Sequence, residues 1–156
     1  MRILVADDEE PKLTSITEWL AEAVPLVEVL VSKSVRSTID VAVQFRPEIV
    51  LLDMSLPTFD IALGESGGRP QGFGGAEVLR HFDGHGLRTK VIVITQYEGF
   101  DNNGKKFDLD ELSGVLRREH AEIFMDCLHY NVVNDEWKSR LANHLHEFME
   151  NGKCAS

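Results

Sequence analysis

Residues 48–57 read Glu48-Ile49-Val50-Leu51-Leu52-Asp53-Met54-Ser55-Leu56-Pro57. Aliphatic residues in unbroken succession suit a strand buried on both faces, the condition of a parallel sheet covered by helices. Runs of the same character recur at 2–6, 27–31 and 91–94, with a weaker one at 123–130. Between these runs the apolar spacing turns helical. After Pro11, which suits a first helical turn, Leu13, Ile16, Leu20 and Ala23 share one face. Ser34 can cap a second helix with Ile39, Ala42 and Val43 inward, and Ala76, Val78, Leu79 and Phe82 suggest a short third. Asp108 with Glu111 resembles a capping box ahead of Leu109, Leu112 and Leu116. Asn134 or Asp135 can cap a last helix that turns Trp137, Leu141, Leu145 and Phe148 inward.

Strand alternating with helix five times predicts an α/β domain, a parallel sheet with helices on both faces. A (βα)8 barrel needs roughly 250 residues, so five strands favour the flavodoxin-like doubly wound sheet, (βα)5 with strand order 2-1-3-4-5. Two stretches are too long for ordinary connections and read as insertions after strands three and four. Residues 58–75 hold six glycines, and residues 98–107 include Asp101-Asn102-Asn103-Gly104. Residues 1–150 are expected to form a single domain and 151–156 a frayed tail.

The chain has 156 residues, of which 43% are hydrophobic and 27% charged, the balance of an ordinary globule. A formal charge of −10 repels phosphate backbones and weighs against nucleic acid as a partner. No apolar run approaches the roughly 18 residues of a membrane span, and no signal peptide opens the chain. Two cysteines, Cys127 and Cys154, are too few for a disulfide scaffold. A small cytoplasmic domain with no membrane partner is the expectation.

Chemistry concentrates in three carboxylates. Asp7 and Asp8 follow the first strand and Asp53 follows the third. In the expected order these strands are neighbours at the topological switch point, where such sheets place their ligand crevice. Clustered carboxylates repel, and hard oxygen ligands suit Mg²⁺. Asp7-Asp8-Glu9-Glu10 also fits a helix amino end, where acids favour the dipole. Asp53 has no helix directly behind it to cap, because Pro57 follows a short loop. Thr95, ending the fourth strand, could donate a hydroxyl to an oxyanion near Asp53.

The acidic pair Asp7-Asp8, the segment Asp53-Met54-Ser55-Leu56-Pro57, and Thr95 after Val91-Ile92-Val93-Ile94 resemble the receiver domain of two-component response regulators. The resemblance implies that Asp53 is the phosphoacceptor, with Asp7, Asp8, Asp53 and the Ser55 backbone carbonyl around Mg²⁺ or Mn²⁺. It implies that Thr95, Gln96 and Tyr130 stand at phosphoryl-contacting or switch positions. Ser55 and Tyr97 would tune water access. Asp53 would attack the phosphorus of a phosphohistidine to give an acyl phosphate. The implied partners are a histidine kinase or phosphotransfer protein upstream and an effector protein downstream. No output domain follows the last predicted helix, so a stand-alone receiver acting through protein contacts is expected. It is not an enzyme in the turnover sense, beyond self-catalysed phosphoryl uptake and loss.

The resemblance fails at one half of the site. Receivers carry a lysine then a proline at the end of strand five, where this chain has Tyr130 and Asn131. The usual switch aromatic falls at Cys127, and the usually small residue after the threonine is Gln96. Lys105 and Lys106, in the second insertion, are the lysine substitutes the sequence offers. A pseudo-receiver used as a fixed docking module is the alternative reading. A Mg²⁺-dependent phosphatase-like enzyme is a lesser one, because a dehalogenase-like site wants an aspartate where Glu9 stands. His81 and His85 read as loop residues near Gly84 and Gly86, not as a metal pair, and Trp19 and Trp137 as seam fillers. The whole reading requires the three aspartates to meet at one rim. Asp53 lying elsewhere, or a basic group filling the space among them, would undo it.

Overall fold

The computed structural model describes residues 1–59, 74–96, 99–102 and 105–154, with side chains for 1–59, 74–96 and 108–151. Along the chain run β1 (Arg2–Ala6), α1 (Glu10–Ala23), β2 (Glu28–Ser32), α2 (Val35–Phe45), β3 (Ile49–Leu52) and α3 (Gly74–Gly84). These are followed by β4 (Lys90–Thr95), β5 (Gly99–Asn102), β6 (Lys105–Asp108), α4 (Leu109–Glu119), β7 (Phe124–His129) and α5 (Glu136–Cys154). The main sheet has the order β2-β1-β3-β4-β7, every pair parallel. With the short β5/β6 pair set aside, this is the flavodoxin-like order 2-1-3-4-5.

Strand alternation sorts the core into two layers. Leu4, Ala6, Val50, Leu52, Val91 and Val93 join one buried cluster with Val35, Val78, Phe82, Leu112 and Leu116, from α2, α3 and α4. Ile3, Val5, Ile49, Leu51, Ile92 and Ile94 join the other with Leu13, Ile16, Leu20, Trp137, Leu141 and Leu145, from α1 and α5. Trp19 and Trp137 meet edge-on at 5.9 Å across the α1/α5 seam.

Local signals explain the helix starts. Ser34 accepts from the Ser37 N–H at 3.0 Å and Ser37 Oγ reaches back to the Ser34 N–H, a closed capping box. Asp108 accepts from the Glu111 N–H at 2.8 Å, and Asn134 from the Glu136 N–H at 2.9 Å.

Three expectations need correction. The insertion at 98–107 is not all loop, because β5 and β6 pair antiparallel from Gly99↔Asp108 to Asn102↔Lys105. The glycine-rich insertion ends earlier than expected, because Gly74 and Gly75 already belong to α3. The expected tail at 151–156 is also too long, since α5 continues to Cys154. Gly152 disfavours helix by only about 1 kcal/mol, too little to end one already established.

Candidate functional site

The register of β1 and β3 carries the acids to one place. Ala6 pairs with Leu52, and the ladder extends one step as the Asp53 N–H donates to the Ala6 carbonyl at 2.9 Å. The next residue of β1's strand path, Asp7, is held in line by its N–H on the Ser32 carbonyl at 2.9 Å. Period-two alternation from Ile3 and Val5 aims Asp7 toward the α1/α5 layer, and alternation from Ile49 and Leu51 does the same for Asp53. Asp7, Asp8 and Asp53 bring one carboxylate oxygen each within 4.8 Å of one another. Asp7 and Asp53 are each only 1% exposed, so water cannot carry their charge.

A side chain that the sequence reading passed over stands among them. The Lys12 ammonium lies 2.9 Å from Asp7 Oδ2 and 3.3 Å from Asp53 Oδ1. Lys12 is 2% exposed. It precedes Ile16 and Leu20 by four and eight residues on α1, and both of those are buried. A lysine in phase with that stripe must be buried, and a buried lysine needs carboxylate partners. That spacing was the available signal. A basic group thus fills the gap between Asp7 and Asp53, the outcome named above against the whole reading, although the three aspartates do meet at one rim. It leaves Asp8 out of its ion pairs.

The remaining bonds orient the acids. Asp7 Oδ1 accepts the Glu9 N–H at 2.9 Å. Asp53 Oδ2 accepts from Ser55 Oγ at 3.0 Å and Asp53 Oδ1 from the Ser55 N–H at 3.3 Å. Burial pushes the Asp7 carboxyl up to about 6 despite the Lys12 ammonium, and the neighbouring Asp53 adds to the rise. Burial and Asp53 also raise the Asp8 carboxyl. Burial alone would lower Lys12, but Asp53 and Asp7 outweigh it, so the ammonium stays charged. Three carboxylates and one ammonium leave two negative charges unmatched when all are ionised. A divalent cation with hard oxygen ligands suits that remainder, and Asp8, half-buried and without an ion pair among the described residues, is the acid best placed to serve it.

The turn after Asp53 is gripped from two sides. The Val35 N–H bonds the Pro57 carbonyl at 2.8 Å, and the Gly75 N–H bonds the Met54 carbonyl at 3.0 Å. A Cβ on Gly75 would lie 2.8 Å from Met54 Cα, and one on Gly74 would lie 2.0 Å from the Leu56 oxygen. These two glycines therefore let α3 press its backbone against the acid-bearing turn.

Thr95 is fully buried at the end of β4, where alternation from Val91 and Val93 aims it to the α2–α4 layer. Its carbonyl accepts the Tyr130 N–H at 2.7 Å. The Gln96 carbonyl lies 3.2 Å from His129 Nε2. Tyr130 packs its ring 5.5 Å from Trp137, inside the α1/α5 core. Cys127 is buried, and burial pushes its thiol up to about 12, so it behaves as a small apolar filler. Tyr97 and the side chains of Lys105 and Lys106 lie outside the described residues. His81 belongs to α3, with the His85 ring stacked beside it at 6.4 Å.

A second ionic cluster sits where β7 meets α5. Asp126 Oδ2 takes Arg140 at 2.6 Å and His144 Nε2 at 2.8 Å, while Asp126 Oδ1 accepts the Cys127 N–H at 2.8 Å. Burial would raise this carboxyl, but His144, the Cys127 N–H and Arg140 together hold it below the usual carboxylate range.

No family model matches the chain. It is 27% identical over 145 residues to the uncharacterized protein y4jR of Sinorhizobium fredii, covering 92% of this chain and 95% of that one. It is 24% identical over 151 residues to the Detocs response regulatory protein DtcB of Enterobacter cloacae, covering 94% and 99%. A solved response regulator receiver domain protein from Clostridium thermocellum superposes with a TM-score of 0.68 at 20% identity, covering 99% of this chain and 98% of that one.

Proposed function

We propose that this chain, whose fold is that of response-regulator receiver domains, accepts a phosphoryl group on Asp53 and signals through protein contacts. The observation that carries the reading is the convergence of Asp7, Asp8 and Asp53 at the carboxyl edge of β1 and β3. The donor is a phosphohistidine of a histidine kinase or phosphotransfer protein, and the recipient of the signal is an effector protein. Among the described residues no helix is long and apolar enough to cross a membrane.

Asp53 is the nucleophile. One of its oxygens forms a bond to phosphorus as the P–N bond of the donor breaks, and the departing imidazole keeps that electron pair. The product is an acyl phosphate. Ser55 Oγ and N–H hold the Asp53 carboxylate in one orientation before attack. Thr95 reaches the same edge from β4 as a hydroxyl donor to the incoming oxygens. Asp7, Asp8, Asp53 and the Ser55 carbonyl would hold Mg²⁺ or Mn²⁺, which supplies positive charge against the phosphoryl oxygens. Asp7 spends one oxygen on Glu9 and the other on Lys12, and both oxygens of Asp53 are met by Ser55 and Lys12, so Asp8 holds the more available lone pairs. The chemistry is self-directed, with water as the eventual acceptor, and involves no turnover of a free substrate.

A second reading, a docking module indifferent to phosphorylation, is favoured by Tyr130 and Cys127 being built into the core. Incubation with Mg²⁺ and acetyl phosphate, followed by intact mass measurement, separates the two. The expected result is one added phosphate on the wild type and none on Asp53→Asn. A wild type that binds Mg²⁺ but never gains mass would favour the docking module. Continuous release of phosphate from a phosphoester would point to a phosphatase-like enzyme.

A further inference from the structure

We propose that Lys12, on α1, is the cation that contacts the phosphoryl group at Asp53, a role the resemblance gives to a lysine at the position Tyr130 holds here. The inference rests on the phosphoacceptor reading of Asp53 and adds to it the residue that neutralises the transferred group.

Three observations carry it. The Lys12 ammonium already lies 3.3 Å from Asp53 Oδ1, one of the two candidate attacking atoms. Both of its ion-pair partners, Asp7 and Asp53, are acids of the candidate site, so the buried ammonium is held at the carboxylate edge. And Lys12 stands in phase with buried Ile16 and Leu20 on α1, so the helix holds its ammonium at the carboxyl edge of β1 and β3 rather than in solvent.

Transfer changes which partner the ammonium prefers. Before it, Asp53 offers one negative charge. Afterwards the acyl phosphate carries up to two on its terminal oxygens, and the ester oxygen carries none. A compact cation on a flexible four-carbon stem can follow that charge without movement of the α1 backbone. Its attraction grows as the P–O bond forms, which is the condition for lowering the barrier rather than merely tightening binding. Tyr130, the strand-end residue nearest to such a role, is committed to the core against Trp137.

The test is the initial rate of mass gain with Mg²⁺ and acetyl phosphate, on variants shown by circular dichroism to be folded. Lys12→Met is expected to slow uptake roughly ten- to a hundredfold, the span expected for one charged hydrogen bond in the transition state. Lys12→Gln serves if the methionine variant does not fold. Lys12→Arg should keep most of the rate. The double variant Lys12→Met/Tyr130→Lys should recover uptake, which a merely structural role for Lys12 would not produce. Labelling of Lys12→Met or Lys12→Gln at the wild-type rate overturns the proposal while leaving Asp53 as acceptor. Absence of label on the wild type overturns both.

Discussion

Two ionic clusters flank the same sheet and differ in which sign is in excess. At β1 and β3, two of three clustered carboxylates share one ammonium, and the Asp7 carboxyl is pushed up to about 6. At β7 and α5, one carboxylate is shared by an arginine, a histidine and a backbone N–H, and Asp126 is held below its usual range. The second is an arrangement in which every charge is answered, and it fastens α5 to the sheet. The first retains repulsion that a fold selected for stability alone would discard, as functional sites commonly do. The two surroundings thus move their carboxyls in opposite directions, up at Asp7 and down at Asp126.

The contrast breaks if the two cations behave alike on removal. Lys12→Met should destabilise the protein by about 3–5 kcal/mol at pH 7, because it leaves buried carboxylates without their counter-charge. Urea unfolding measures this, and a loss under about 1 kcal/mol would mean that the cluster is not electrostatically stressed. A second, opposite effect sharpens the comparison. Between its unfolded value of 3.8 and its folded value of about 6, Asp7 binds a proton more tightly in the folded protein. Its ionisation therefore withdraws stability as pH rises through that window. Asp7→Asn should make the protein more stable than wild type by about 2–3 kcal/mol at pH 7, with the gain vanishing near pH 4. Unfolding curves of both proteins across that range show whether the difference has this sign. The smallest effect belongs to the answered cluster. Arg140 is 46% exposed, so Arg140→Ala should cost less than about 1 kcal/mol, read as a small downward shift in Tm.

Much of this architecture is legible in the sequence because hydrophobic period and burial agree. The runs at 2–6 and 49–52 coincide with β1 and β3, and the acids that follow them inherit their position from the ladder. Ser34 and Asp108 announce their helices because a side-chain oxygen near orphan amides has few other uses. What escaped depends on the third dimension. Counting only apolar residues along α1 hides Lys12, although its spacing from Ile16 places it on the inward face. Gly74 and Gly75 look like part of a glycine-rich loop until the approach of Met54 and Leu56 shows why no side chain fits there. The β5/β6 pair was hidden by the polar character of 98–107. Tyr130 aligns with a lysine in the resemblance, yet its ring is claimed by Trp137.

Alternation along the strands has one further result. Asp7 and Asp53 emerge on the α1/α5 side of the sheet, whereas Thr95 emerges on the α2–α4 side. A group held by both the aspartates and the threonine would clasp the rim across the thickness of the sheet. It would tether the two helical layers to each other at a point where the backbone hydrogen bonds of the strands have ended. Its arrival or departure could then be felt by a partner resting on either layer, and the protein would need no separate lever to serve both.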